Sequence, residues 1–178
     1  TREEDYVLKR MVRAAGLEVA LYEEVEHDPQ ATLQALGVVL ISSVAAGIGS
    51  MLTGGLAGLV WGTVLALVGW LIWSLLTYVI GVHLLPEPQT RADVGELMRT
   101  IGFASTPGLL RVLGIMTPVA RPVLAVTAVW MLVAMIVAVR QALDYKSTAR
   151  AVAVCVVGWV LAIAMAVVLG LVFSPPVS

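Results

Sequence analysis

The chain has 178 residues and a formal net charge of −1, and 60% of its residues are hydrophobic while only 13% are charged. Soluble domains contain about 45–50% apolar and about 25% charged residues, so this composition excludes an ordinary soluble fold. No Asp, Glu, Lys or Arg occurs between Asp28 and Glu87. The sequence therefore predicts an all-α protein that crosses a membrane several times. The balanced charge, with no basic block, predicts no nucleic-acid partner.

The first predicted element is a single amphipathic helix over residues 3–27, within a leader of residues 1–29. Apolar side chains recur along it at spacings of three and four, and charged side chains occupy the other faces. The apolar positions are Leu8, Met11, Ala15, Val19, Tyr22 and Val25. Two placements are open for this helix. It lies in the headgroup region with one face buried, or it packs in the cytoplasm on the membrane spans or on a partner protein.

The leader is followed by a membrane domain, residues 30–174, and by a short tail, residues 175–178. The first two predicted spans are residues 33–52 and residues 56–82, each long enough to cross about 30 Å of hydrocarbon. The connection between them, MLTGGLAG, is short and rich in glycine. The sequence therefore predicts that these two spans form a tight antiparallel hairpin.

A polar loop that contains proline comes next. In this loop Thr90 precedes Asp93 by three residues, which is a spacing typical of a capping box at a helix start. Two further apolar runs, residues 123–139 and residues 151–173, are predicted to be the last two spans.

Residues 96–116 are also apolar, but they contain Arg111 and an interruption at Pro107. If this segment crosses the membrane and the N-terminus is cytoplasmic, every Lys and Arg except Arg111 and Arg121 lies on the cytoplasmic side. That distribution follows the positive-inside rule. The sequence therefore predicts a bundle of five transmembrane helices, with the N-terminus in the cytoplasm and the C-terminus outside, in a bacterial cytoplasmic membrane.

The interruption has a physical consequence. Pro107 lacks a backbone N–H and crowds the preceding turn, so a helix through it kinks or restarts. The freed carbonyls are costly in hydrocarbon, so we expect the other four spans to enclose this third span. Arg111 has two interpretations: an anchor that reaches the outer headgroups, or an anion-binding residue on a substrate path.

Small residues recur at helical spacing in three spans. Such positions let helices approach closely in lipid, either inside one bundle or at a seam between subunits, and the sequence leaves both interpretations open. The residues predicted to serve in helix packing are Gly54, Gly58, Gly62, Gly69, Ala162, Ala166 and Gly170.

The sequence lacks residue patterns typical of catalysis, metal binding or phosphate binding. His27 and His83 have no second ligand at metal-binding spacing, and no phosphate loop or nucleophile–base pair is present. No predicted span carries an acidic residue at mid-membrane depth, which argues against a proton-coupled transporter. We therefore expect no catalytic residue, no metal and no cofactor.

Several segments resemble bacterial members of the Yip (Ypt/Rab-interacting protein) membrane family. These are LYEEVEHDPQATLQAL, GVVLISSVAAGIG and QTRADVGELMRTIGFASTPGLLRVLGIM. The resemblance extends from about Gly16 through nearly the whole remaining chain. Its most specific part is a Gly-aromatic…Pro signature in the third span, represented by Gly102, Phe103 and Pro107 and followed by Gly108. The resemblance implies a bundle of five spans with a cytoplasmic N-terminus.

Eukaryotic members of this family act as adaptors that bind Rab-type GTPases. This chain lacks the Asp-Leu-x-Gly-Pro type of motif that precedes their spans, and Phe103 stands where tyrosine is usual, so Rab-type GTPase binding is not expected. The resulting hypothesis is a non-enzymatic scaffold, adaptor or accessory subunit. It would contact membrane lipid and either self-associate or join a larger membrane protein complex. The alternatives are a small transporter or channel whose path is lined by the broken third span, and an intramembrane enzyme.

Overall fold

The computed structural model describes residues 2–116 and 120–173, with the backbone alone described at residues 2–3, 49–54, 115, 166 and 168–173. The predicted all-α class is confirmed, because the described elements are all helical. They are α1 (Arg2–Ala15), α2 (Val19–His27), α3 (Ala31–Tyr78), a π-helical turn (Val79–Leu84), α4 (Val94–Ala104), a 3-10 helix (Thr106–Ile115), α5 (Ala120–Ala142) and α6 (Thr148–Phe173).

Helix α3 reverses direction at Gly55, whose φ of 58° and ψ of −159° lie outside the helical region. Glycine adopts such a conformation without a side-chain clash. A straight helix would place Gly47 and Leu59 about 18 Å apart. Instead, a Cβ on Gly47 would lie 3.3 Å from the Leu59 Cα. The predicted hairpin is therefore confirmed, and its two halves, residues 31–54 and residues 56–78, are called the first arm and the second arm.

Four helices in the described ranges are long and apolar enough to cross a membrane: Ala31–Ile48, Gly55–Leu84, Ala120–Ala142 and Thr148–Met165. The prediction of five transmembrane helices is not confirmed. The segment proposed as the third span consists of two short helices, because Pro107 lies in the first turn of the 3-10 helix and ends the α-helical hydrogen bonding there.

The leader differs from the predicted single helix. It breaks at Gly16 and Leu17, where Leu17 has a φ of 59°. The break shifts the helical phase, so the predicted apolar stripe is not continuous. Tyr22 is buried and donates from its hydroxyl to the Ala14 carbonyl at 3.1 Å, whereas Leu8 is 59% exposed. Helix α2 therefore folds back on α1.

The capping box of α4 begins three residues later in the chain than predicted. Asp93 is the N-cap, and its Oδ1 accepts from the Glu96 N–H at 2.8 Å. The Glu96 Oε2 accepts in return from the Asp93 N–H at 2.7 Å. Thr90 was predicted as the cap but instead accepts from the Glu87 N–H in the preceding loop at 2.9 Å. A tight reciprocal box therefore fixes the start of α4.

Polar contacts gather three parts of the chain at one end of the bundle. The Glu87 Oε2 accepts from the Lys146 N–H at 3.0 Å, and the Gln89 Nε2 donates to the Asp144 carbonyl at 3.0 Å. The Gln141 Nε2 donates to the Glu23 Oε1 at 3.0 Å. We call this the polar end; it consists of α1, α2, residues 85–93 and residues 143–147. Helix α5 ends there, so α5 begins at the opposite end of the bundle.

Candidate functional site

The interruption between α4 and the 3-10 helix is satisfied by hydroxyl groups. In a continuous α-helix the N–H of residue 107 would bond to the Phe103 carbonyl, but Pro107 has no N–H. The Thr106 Oγ1 donates to that carbonyl at 2.7 Å instead. The Ser42 Oγ, from the first arm, donates to the Ser105 carbonyl at 3.1 Å. The Phe103 carbonyl, which the proline frees, is therefore paired within the protein, and the Ser105 carbonyl accepts from Ser42 in addition to the Gly108 N–H.

The residues predicted from the family signature lie where this interruption meets its neighbours. Phe103 and Pro107 are buried. A Cβ on Gly102 would lie 2.7 Å from the Ala35 Cβ and 3.3 Å from the Ala35 Cα, so α4 and the first arm are in backbone contact. A Cβ on Gly108 would lie 3.3 Å from the Met131 Sδ of α5. Neighbouring helices therefore enclose the segment through Gly108, as expected from the cost of bare carbonyls in lipid.

A cavity of about 230 Å³ lies between the two arms, the interrupted segment and α5. Arg111 lines it and is half-buried. Ser42, Ser43 and Trp73 also line it. The structure thus places Arg111 beside a space between helices, and its two interpretations, a headgroup anchor and an anion-binding residue, both stay predictions.

Four of the small residues predicted to serve in packing have described side-chain positions, and none of these four packs closely against another part of the described chain. A Cβ on Gly58, Gly62 or Gly69 would meet nothing within 4 Å, and Ala162 is exposed. Gly54, Ala166 and Gly170 lie outside the residues whose side-chain positions are described.

Close approaches occur at other glycines. A Cβ on Gly158 would lie 3.1 Å from the Trp73 Cη2, and Gly81 packs directly against the Leu143 side chain. Residue spacing alone does not reveal these pairs, because each depends on which large side chain faces the glycine from another helix. The sequence therefore gives only a weak indication that Gly81 and Gly158 are packing positions.

Arg99 attaches the leader to α4, a role that sequence reasoning missed. This buried side chain donates from Nε to the Val25 carbonyl at 3.0 Å and to the Glu26 carbonyl at 3.1 Å, and its Nη2 also donates to the Glu26 carbonyl. These carbonyls lie at the C-terminus of α2, where a cation is favoured by the helix dipole, and the Val25 carbonyl also accepts from the Asp28 N–H at 3.4 Å. The sequence analysis used Arg99 only as one of the positive charges on the predicted cytoplasmic side.

Arg10 joins α1 to α2 and to the first arm. Its Nε donates to the Glu24 Oε1 at 2.9 Å, its Nη2 donates to the Asp28 Oδ2 at 2.9 Å, and its Nη1 donates to the Gln34 Oε1 at 2.7 Å. The side chain is only 3% exposed, so these bonds compensate for burying its charge. The leader is consequently docked on the bundle by two buried arginines.

A second, polar cavity of about 600 Å³ lies at the polar end between α2 and the end of α5. Glu26 lines it and is only 4% exposed. Burial, together with the nearby negative charge of Asp144, raises the pKa of the Glu26 carboxyl to about 7. In the described ranges the His, Cys, Asp and Glu side chains form no cluster that could hold a metal ion.

These features together define a polytopic helical membrane protein with a docked polar leader and an internally satisfied helix break. Residues 21–169 match the Yip1 domain, from α2 to the latter part of α6. Because this match covers most of the chain, the protein belongs to the Yip1 domain family. Comparisons with curated proteins and with solved structures give no match.

The hydroxyl at the helix break is expected to contribute to stability. Thr106→Val removes the donor to the Phe103 carbonyl but keeps the side-chain shape, so the free energy of unfolding falls by about 1–3 kcal/mol. Thr127→Val is the matched control, because the Thr127 Oγ1 is buried without a partner among the described residues. This control should be neutral or stabilising. Equal losses for the two variants, measured by unfolding in mild detergent, would contradict the assigned bond.

Glu26 is expected to make stability depend on pH. Because its folded-state pKa is raised from 4.5 to about 7, the folded protein keeps this proton at pH values where the unfolded chain has lost it. The stabilisation from this proton is complete below 4.5 and is lost as pH rises through about 7. Glu26→Gln remains uncharged throughout. The stability of the wild type relative to Glu26→Gln should therefore fall across this range, and a constant difference would refute the assignment.

Proposed function

We propose that the protein is a non-enzymatic membrane scaffold or accessory subunit that associates, with itself or within a larger membrane complex, through the second arm of α3. The observation that carries this proposal is the open GxxxG pair, Gly58 and Gly62, opposite which the described chain places nothing within 4 Å. Exposed apolar side chains accompany the pair, among them Trp61 and Leu65, each 66% exposed.

Glycine destabilises a membrane helix unless it allows a close contact with a neighbouring helix. Glycine in a helix interior is about 1 kcal/mol less favourable than alanine. At Gly102 and Gly158 that cost is offset by close contacts inside the chain. At Gly58 and Gly62 the described chain supplies no such contact. Between apolar helices in lipid, close backbone approach is the main source of attraction, so a partner helix is the natural occupant of this surface.

We further infer that residues 94–115 form a fifth crossing. Helix α4 begins at the polar end and α5 begins at the opposite end, so the segment between them has to connect the two ends. Its 11 α-helical and 10 3-10 residues span about 36 Å, which exceeds the roughly 30 Å of bilayer hydrocarbon. The paired carbonyls at the interruption support the same inference, because a lipid-embedded break requires them.

The distribution of charge supports an orientation for this bundle. The polar end holds most of the Lys and Arg residues, which favours its placement in the cytoplasm. The leader would then be cytoplasmic and residue 178 would lie outside. Membership of the bacterial branch, location in a bacterial cytoplasmic membrane and the lack of Rab-type GTPase binding remain proposals that rest on the sequence resemblance.

A transporter or channel is the second candidate function. The specific observation in its favour is that Arg111 and the interrupted segment border a cavity between the helices. A transport path has to carry solute from one side of a sealed vesicle to the other. Absence of flux for ions and osmolytes in reconstituted vesicles would therefore reject this candidate without affecting the scaffold proposal.

The assembly surface can be tested with matched glycine variants. Gly62→Leu and Gly58→Leu place a bulky side chain on the proposed seam and should convert an assembled particle into a monomer. Gly37→Leu is the control, because Gly37 also faces open space but lies on the first arm, outside the GxxxG pair. Native mass spectrometry from mild detergent reads out the particle mass, and thermal unfolding confirms that each variant folds.

Two outcomes would contradict the proposal. One is a wild-type particle that is strictly monomeric and without partner. The other is an assembly that Gly62→Leu and Gly37→Leu change to the same extent.

A further inference from the structure

The cavity bordered by Arg111 combines apolar walls with a surplus of hydrogen-bond donors. Met131 and Met135 of α5 are among its apolar residues. The Ser43 Oγ donates to the Val39 carbonyl at 2.7 Å, and the Trp70 Nε1 donates to the Met98 carbonyl at 3.1 Å. These polar groups are therefore already committed within the protein.

Trp73 contributes only part of its ring surface to this wall. Its Nε1 has no hydrogen-bond partner among the described residues, but the atom is fully buried and is therefore out of reach of a group in the cavity.

Arg111 adds a positive charge to the same wall. In the part of the chain that the structure describes, its guanidinium takes part in none of the hydrogen bonds or ion pairs. No acidic residue occurs between Asp28 and Glu87 or within α5 and α6, so the surrounding helices carry no counter-charge at this depth. Ionisable side chains in membrane segments are costly and usually pair with another group.

We propose that this cavity binds an anionic group, a carboxylate or a phosphate, which Arg111 holds through charge-assisted hydrogen bonds. Arginine suits this role because its planar donors match both oxyanions. The cavity volume of about 230 Å³ lies below the roughly 300–1,000 Å³ of sites that enclose a whole ligand. An anionic headgroup fits inside it while the chain of an amphiphile remains in the bilayer. This site does not depend on the proposed scaffold function.

The test is a binding titration by native mass spectrometry on the full chain in mild detergent. The probes are oleate, phosphatidic acid and inorganic phosphate, with diacylglycerol as the uncharged comparison. Arg111→Gln should weaken binding of the anions about tenfold or more, since one charge-assisted bond contributes at least about 1.4 kcal/mol. Arg121→Gln is the matched control, because Arg121 is exposed and does not line the cavity.

Arg111→Lys provides a second variant. It keeps the positive charge but loses the planar donors of the guanidinium, so it should bind the anions more weakly than the wild type and more tightly than Arg111→Gln. This variant keeps the proposal testable if Arg111→Gln does not fold.

The different probes in the titration distinguish the source of the anion. Binding of oleate or phosphatidic acid identifies a lipid headgroup, and binding of inorganic phosphate identifies a soluble anion; either result supports the site when Arg111→Gln weakens it. Binding without flux in vesicles supports the site and rejects the transporter. The proposal is overturned if none of the anions binds the wild type, if diacylglycerol binds as tightly as phosphatidic acid, or if the folded Arg111 variants bind like the wild type.

Discussion

The fold depends on keeping the backbone carbonyls around Pro107 paired inside the protein. In hydrocarbon no water can take the place of the missing N–H, so a break of this kind persists only where protein groups pair with the exposed acceptors. The Thr106 hydroxyl pairs with the Phe103 carbonyl, which lacks its N–H donor because residue 107 is proline. The Ser42 hydroxyl of the first arm adds a second donor to the Ser105 carbonyl, which also accepts from the Gly108 N–H. The second bond requires the first arm to lie directly against the interruption. Gly102 permits this approach because a side chain there would collide with Ala35.

Helix α4 also links the membrane region to the leader. Helix α4 carries Gly102 at the contact with the first arm and Arg99 at the contact with the C-terminus of α2. The leader is therefore attached to the enclosed segment as well as to the first arm, through Arg10, and to α5, through Gln141. The open glycine pair, Gly58 and Gly62, belongs to the second arm, whereas the contact with Gly102 is made by the first arm. This division, with one surface used internally and another left open, is the structural basis for proposing an assembly role.

Part of this architecture could be predicted from the sequence. The glycine-rich MLTGGLAG run indicates the hairpin because a reversal between two apolar runs needs a residue such as Gly55 at positive φ. Pro107 indicates the break and the need to enclose it, since both follow from local chemistry. The continuous length of the leader was predicted wrongly. Leu17 adopts a left-handed conformation that its residue type does not suggest, so periodicity extended the helix through it.

The rest depends on three-dimensional proximity. Arg99 and Arg111 look alike in the sequence, yet one is paired with carbonyls of α2 and the other borders a cavity. Glycine spacing did not distinguish Gly158, which packs on Trp73, from Gly62, which faces open space. In both cases the partner comes from a distant part of the chain.

The most direct test of the central claim is the side of the membrane on which each end of the chain lies. In a Cys155→Ala background, single cysteines at Leu8 and Ser178 can be labelled with a membrane-impermeant maleimide in intact cells and after permeabilisation. An enclosed crossing by residues 94–115 predicts that position 178 reacts in intact cells and that position 8 reacts only after permeabilisation. Labelling of both positions from the same side would show that the interrupted segment does not cross, and the account would fail.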